Sequence, residues 1–167
     1  FINEMANLCE KLDVNIEDIS IGMGLDKRIG SRFLRAGPAY GGSCFPKDTR
    51  AIVTTGDYFQ TNLSVVKSVI KSNDNRSSLL LKRTYDLLNG KVKNKKICFL
   101  GVTFKANTDD MRDSSSLKMI PSLIKKGAII NYYDPSGEKK IFSKLKNISF
   151  SKDIKSAIKD ADLIIIH

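Results

Sequence analysis

Residues 33–48, FLRAGPAYGGSCFPKD, gather the residue types that thiol chemistry needs. Cys44 follows the flexible pair Gly41 and Gly42 and precedes Pro46, which suits the first turn of a helix. A free thiol is a poor nucleophile at neutral pH; a helix N-terminus with a cation such as Lys47 beside it favours the reactive thiolate. Gly41 and Gly42 let the backbone approach a ligand and offer N–H groups with no side chain in the way. Asp48 stands four residues after Cys44, one helical turn on, where a carboxylate can accept a proton or orient water. Cys44 is therefore the candidate nucleophile and Asp48 its candidate proton-handling partner.

The other two cysteines read differently. Cys9 falls on the apolar face of a helical period and Cys98 inside a strand-like run, so both are expected in the core. With no CxxC pair and a single histidine, His167, the sequence assembles no metal site. Asp109, Asp110 and Arg112 read as a loop scaffold in which carboxylates pair with a cation, since no ligand set accompanies them. The net charge of +10 is spread along the chain rather than gathered in one block, which argues against a nucleic-acid partner. No apolar run approaches the roughly 18–20 residues needed to span a bilayer, and Phe1–Asn7 lacks the pattern of a signal peptide. A cytoplasmic protein with reduced thiols is expected.

Two kinds of element must position the thiol. Ile2, Met5, Leu8, Cys9 and Leu12 recur at helical steps, and Asn15 or Asp18 is expected to cap a short helix ending near Gly22 or Gly24. After the irregular stretch 30–42, a helix is expected from Pro46 through Val53. A further helical pattern runs from Val65 to Asn89-Gly90, with 73–78 as a polar interval or exposed face. From Lys91 the texture changes. Residues 97–102 form a buried-type strand, 114–126 a helix ending at Gly127, 128–133 a second strand, 153–160 a helix and 162–166 a third strand. The fold class is α/β: an all-helical segment over 1–90, then a Rossmann-like parallel-sheet domain over 91–167. Phe1 falls within a helical period and His167 on the tail of a strand, which predicts that both domains are truncated pieces of a longer chain.

The thiol loop resembles the signature of the UDP-glucose/GDP-mannose dehydrogenase family, close to FLxxGxGYGGSCFPKD. The likeness continues through Phe1-Ile2-Asn3-Glu4, through Asp26-Lys27-Arg28-Ile29-Gly30, and from Phe99 to Lys105 with Asn107 to Ser114. Ala39 departs from the usual glycine, adding a methyl to the loop. Tyr133-Asp134-Pro135 is also family-like, as a turn.

The resemblance implies an NAD-dependent, four-electron oxidation of the C6 alcohol of UDP-glucose to UDP-glucuronate for an acidic polysaccharide. Cys44 matches the nucleophile that carries a thiohemiacetal and then a thioester, and Asp48 the residue that assists hydrolysis. Phe33, Leu34, Arg35, Gly37, Tyr40, Gly41 and Phe45 match loop positions that hold the nucleotide-sugar. Lys105 matches a lysine reaching the substrate from the C-terminal domain. Arg28 matches an arginine that reaches a neighbouring subunit's substrate, which implies a homodimer or larger homo-oligomer built on the central helices. The family's cofactor loop, GxGxxG, occurs nowhere in the chain, and its oxyanion lysine and asparagine would lie upstream of Phe1. NAD is thus expected to bind mainly to a domain absent here, and the chain alone is expected to be inactive. The alternatives are a relative acting on GDP-mannose or a UDP-N-acetylhexosamine, or a non-catalytic nucleotide-sugar-binding or dimerisation module.

Overall fold

The helical period at the start of the chain produces α1, Ile2–Leu12, which ends where Asp13 turns left-handed at φ 55° and Val14 N–H returns to the Cys9 carbonyl at 3.0 Å. Asn15 then caps α2, Ile16–Gly24, its side-chain oxygen accepting from Glu17 N–H at 3.0 Å. The computed structural model describes all residues, 1–167, and these first two helices lie in one of two compact units, 1–38 and 39–167. Cys9 is buried in the first unit and Cys98 in the second, as expected of core thiols.

The second unit opens with α3, Phe45–Tyr58, and α4, Ser64–Leu87. The polar stretch 73–78 does not interrupt α4, which is continuous over 24 residues. Nor is that stretch uniformly an exposed face, because Arg76 and Ser77 are buried. The helix closes at Asn89, left-handed at φ 50°, with Gly90 N–H bonded to the Tyr85 carbonyl at 2.8 Å.

Four strands follow: β1, Lys96–Leu100; β2, Ile129–Tyr133; β3, Ile148–Phe150; and β4, Leu163–Ile166. All pairings are parallel and the order is β3-β2-β1-β4. The sequence pattern shows three of these strands. β3 and the 3-10 turn Lys140–Phe142 escape it, being too short to display a period. Between β1 and β2 lies α5, Ser116–Lys125, and before β4 lies α6, Ile154–Ile158, capped by Asp153. Gly127, at φ 86°, ends α5 as a left-handed cap, with Ala128 N–H returning to the Leu123 carbonyl at 3.1 Å.

The core forms because both faces of the sheet are covered. Ile97 and Phe99 of β1 and Ile130 and Tyr132 of β2 pack with Met119, Ile120 and Leu123 of α5. Phe142 joins the same cluster, meeting Tyr132 edge-on with ring centroids 5.5 Å apart, and α6 lies on the other face, where Asn131 donates to the Ala157 carbonyl at 3.0 Å. Because β2 and β4 flank β1 on opposite sides, the order reverses at β1, and the crevice beyond the carboxyl ends of β1 and β4 is where such sheets bind ligands. The loop 101–115 leaves β1 at that point.

Candidate active site

Cys44 is the N-cap of α3, with φ −90° and ψ −60°, and its thiol is exposed. Its carbonyl accepts the Asp48 N–H at 2.8 Å, the first bond of the helix. Pro46 sits in the first turn, where a missing N–H costs nothing. The thiol therefore stands at the positive end of a helix of 14 residues, and Ser43 Oγ lies 3.6 Å from its Sγ.

Asp48 is ion-paired with Lys47 on the exposed first turn. The hydrogen bond to Asp48 chiefly, and the field of Cys44 as the weakest contributor, hold the Lys47 ammonium above its ordinary value. Arg112 is raised likewise, first by its hydrogen bonds to Asp110 and last by the field of Cys44. Both cations thus feel the thiol weakly, one from its own helix and one from the loop 101–115, while their ion pairs lie with Asp48 and Asp110. The Asp110–Arg112 pair is the scaffold anticipated from the sequence; the bearing of Arg112 on Cys44 was not legible there.

The backbone that delivers Cys44 is gripped on two sides. On one, Asn73 of α4 accepts Tyr40 N–H at 2.9 Å and donates to the Tyr40 carbonyl at 3.0 Å. On the other, Gly42 N–H donates to the Arg112 carbonyl at 2.8 Å. A Cβ on Gly41 would lie 2.6 Å from the Asp113 carbonyl oxygen, and one on Gly42, at φ 81°, 2.8 Å from Phe104 Cζ. Both glycines are required by these approaches. The rings of Tyr40 and Phe45 meet with centroids 5.5 Å apart. Asn73 and Phe104 are structural neighbours of the thiol loop that side-chain chemistry alone does not announce. The family-like run ending at Lys105 was the one available signal for Phe104.

The fold brings Tyr40, Gly41, Cys44, Phe45, Asp48 and Lys105 into the second unit. Lys105 is exposed, its Nζ 5.3 Å from the centre of the Phe104 ring. Arg28, Phe33, Leu34, Arg35 and Gly37 belong to the first unit. There Arg28 is exposed and its guanidinium makes three hydrogen bonds to Asp26, at 2.6–3.2 Å. Phe33 is 82% exposed, whereas Leu34 is buried and its carbonyl accepts from Ser20 Oγ at 2.7 Å. Arg35 is exposed, and Gly37 N–H donates to Asn3 Oδ1 at 2.8 Å.

The carboxyl end of the sheet has its own polar anchor. Asp134, just after β2, accepts from Val102 N–H and Ser136 N–H, each at 2.9 Å, and pairs with buried Lys139 at 3.4 Å. Burial by itself would raise this carboxyl, but the Ser136 and Val102 hydrogen bonds and Lys139 hold it below its ordinary value. Ser114 and Ser116 hydroxyls donate to the Val102 carbonyl at 2.7 and 2.6 Å, closing the base of the loop 101–115.

Comparison with known proteins places this geometry. The UDP-glucose/GDP-mannose dehydrogenase family, central domain, matches residues 1–75, and the same family's UDP binding domain matches residues 98–167. A UDP-glucose 6-dehydrogenase of Rhizobium meliloti is 43% identical over 99% of this chain, which covers 38% of that protein. The Bacillus subtilis UDP-glucose 6-dehydrogenase YwqF is also 43% identical, with the same coverage of both chains. Among solved structures, a UDP-glucose dehydrogenase of Pyrobaculum islandicum matches 99% of this chain and 38% of its own, at TM-score 0.90 and 30% identity. The chain thus spans about 38% of the length of the curated relatives it matches. Matched by family models along most of its length, the chain belongs to the UDP-glucose/GDP-mannose dehydrogenase family.

Proposed function

We propose that this chain is the central and nucleotide-binding portion of an NAD-dependent nucleotide-sugar 6-dehydrogenase that converts UDP-glucose to UDP-glucuronate. The observation that carries the reading is an exposed thiol at the N-cap of α3, on a loop held by the Asn73 side chain and by the Arg112 carbonyl. The 43% identity with UDP-glucose 6-dehydrogenases favours that sugar. The weaker likeness to a GDP-mannose dehydrogenase from Pseudomonas aeruginosa, TM-score 0.66 at 27% identity, is consistent with this preference.

The residues of this chain do not fit a nicotinamide dinucleotide. A dinucleotide site needs a tight glycine turn from strand to helix, with free groups at the helix start. Here β1 and α5 are separated by the loop 101–115, and Ser114 and Ser116 are committed to the Val102 carbonyl. We therefore assign NAD mainly to a further part of the protein and expect no NADH formation by residues 1–167 alone.

The chain's own contribution begins once the C6 alcohol has been oxidised to an aldehyde. The Cys44 thiolate adds to the aldehyde carbon, forming a C–S bond, and the carbonyl oxygen takes up a proton to give a thiohemiacetal. The adduct held on Cys44 presents a C–H bond at C6, and a nicotinamide cofactor bound elsewhere in the protein would supply the two-electron oxidation that makes it a thioester. Water then attacks the thioester carbon, the C–S bond breaks, the carboxylate leaves and the thiol is restored, with Asp48 receiving the proton of the attacking water.

Phe33, Leu34, Arg35, Gly37, Tyr40, Gly41, Phe45 and Lys105 are proposed to hold the UDP-sugar, and Arg28 to reach a neighbouring subunit's substrate. Exposed Ile52 and Phe59 at the α3 end of the unit, with Val65 and Val69 one turn apart on α4, support a homodimer through the central helices. The domain division near residue 90 is supported by the separate family matches that end at 75 and resume at 98. No helix is long and apolar enough to cross a membrane; a cytoplasmic location is proposed, in keeping with three free cysteines. The test is NADH production by the intact enzyme. Cys44→Ser is expected to lose turnover to the carboxylate while binding UDP-glucose, and undiminished turnover refutes the thiol's role.

A further inference from the structure

Phe104 lies against the two residues that decide where Cys44 stands, its ring at Gly42 and its Cβ at Gly41. A Cβ placed on Gly42 would meet Phe104 Cζ, Cε2 and Cε1 at 2.8, 2.9 and 3.2 Å, so only a glycine lets the ring come this close. The same test on Gly41 brings Phe104 Cβ to 3.1 Å. Gly42 is buried, and two residues later the chain reaches the thiol.

Phe104 itself is fixed at its root. Its N–H donates to the Asp110 carbonyl at 3.1 Å, closing the loop that runs on to Arg112. The Arg112 carbonyl takes the Gly42 N–H, so both feet of the closed loop rest on the same glycine, one by a ring and one by a hydrogen bond. Below it, Val102 is wholly buried, its N–H held by Asp134 and its carbonyl by Ser114 and Ser116. A rigid path therefore runs from the end of β1 through Phe104 to the thiol loop. At its exposed end, Lys105 Nζ lies 5.3 Å from the centre of the same ring, within cation–π range.

We propose that Phe104 is a positioning residue for Cys44: its ring seats the Gly42 backbone, and through Lys105 it makes thiol reactivity respond to a bound nucleoside diphosphate. The second half rests on the reading of Lys105 as a nucleotide-sugar contact. An anionic phosphate drawing Lys105 away from the ring alters what the ring rests against, and the change reaches the thiol through one glycine and one serine.

The experiment alkylates Cys44 with iodoacetamide in the chain of residues 1–167, read by mass spectrometry, with UDP as the probe. Cys9 and Cys98 are buried, so Cys44 is the thiol that reacts first. Rates are measured across pH 6–10 for wild type, Phe104→Ala and Phe104→Tyr, with circular dichroism confirming that each is folded. Phe104→Ala is expected to change the alkylation rate about three- to tenfold and to move its pH midpoint, whereas Phe104→Tyr, which keeps the ring, stays close to wild type. Saturating UDP is expected to change the rate in wild type but not in Phe104→Ala, with UDP affinity by calorimetry preserved within about threefold.

A Phe104→Ala profile that overlays wild type overturns the positioning role. A UDP effect that survives in Phe104→Ala overturns the coupling through the ring. Failure of the wild-type chain to bind UDP removes the nucleotide reading of Lys105 and the ligand response together, while the ligand-free profiles still decide the role of the ring.

Discussion

Replacing Asp134 by alanine removes the anchor that joins the end of β2 to the start of the loop supporting the thiol. Asp134 is 3% exposed and Lys139 6%, so the substitution leaves a buried ammonium with no carboxylate. It also strips the acceptor from Val102 N–H and Ser136 N–H, each bonded at 2.9 Å. Breaking one side of a buried pair costs about 3–5 kcal/mol, most of it the penalty of the stranded charge. Against a usual domain stability of about 5–15 kcal/mol, that is a large fraction, and the unfolding midpoint should fall by on the order of 10–15 °C. The assays are equilibrium urea unfolding for the free energy and thermal unfolding for the midpoint, both at pH 7 and followed by circular dichroism.

A paired substitution separates the charge from the shape. Asp134→Asn combined with Lys139→Met removes both charges at similar volume and should recover at least half of the loss. The pH dependence has a definite sign. A carboxyl held below its ordinary 3.8 contributes stability that is complete above about pH 4 and fades as pH falls through its lowered value. A loss below about 1 kcal/mol for Asp134→Ala at pH 7, or no recovery in the double variant, refutes the reasoning.

Other substitutions test the grip on the thiol loop. Asn73→Ala removes both bonds to the Tyr40 peptide, and a loss of about 1–3 kcal/mol in urea unfolding is expected. Gly41→Ala drives a methyl against the Asp113 carbonyl at 2.6 Å, a backbone atom with no rotamer to escape to, so displacement of the thiol loop should appear as altered Cys44 alkylation. His167 is pushed down from 6.5 to about 4, mainly by burial and despite the opposing field of Asp134, while its Nε2 meets Ser115 Oγ at 2.7 Å. Its neutral form therefore contributes stability that is whole above about pH 6.5 and is lost as pH falls toward 4, roughly 3 kcal/mol in all. His167→Gln should flatten that part of the stability profile, measured by thermal unfolding between pH 4 and 7.

The elements legible in the sequence are those whose ends carry a chemical mark. Asn15 caps α2, Asn89-Gly90 stops α4 and Gly127 stops α5, each through the left-handed or side-chain cap its residue type favours. The strand at 97–100 is an apolar run buried on both faces, so a parallel sheet follows from it. β3 carries no such mark: three residues, with Ser149 pointing outward at the sheet's edge, cannot display alternation. The stretch 73–78 misleads because polar identity usually signals exposure, whereas here Ser77 and Arg76 are buried and Asn73 holds a peptide.

The candidate site divides along the same line. Cys44, Asp48 and the glycines lie within one short segment, where spacing alone suggests thiol chemistry. Asn73, Phe104 and Arg112 lie about 30–70 residues away, and they act through a carboxamide on a peptide, a ring against a glycine and a backbone carbonyl. Such contacts depend on tertiary approach, which no local pattern encodes.

The central claim is that Cys44 carries the oxidised sugar covalently. The direct measurement is mass spectrometry of the Cys44 peptide after the intact enzyme is quenched in acid during turnover of UDP-glucose with NAD, using Asp48→Asn to slow hydrolysis. The account predicts a sugar-nucleotide thioester on Cys44 that disappears on treatment with hydroxylamine. An unmodified Cys44 peptide under those conditions, with UDP-glucuronate still accumulating in Cys44→Ser, would contradict it.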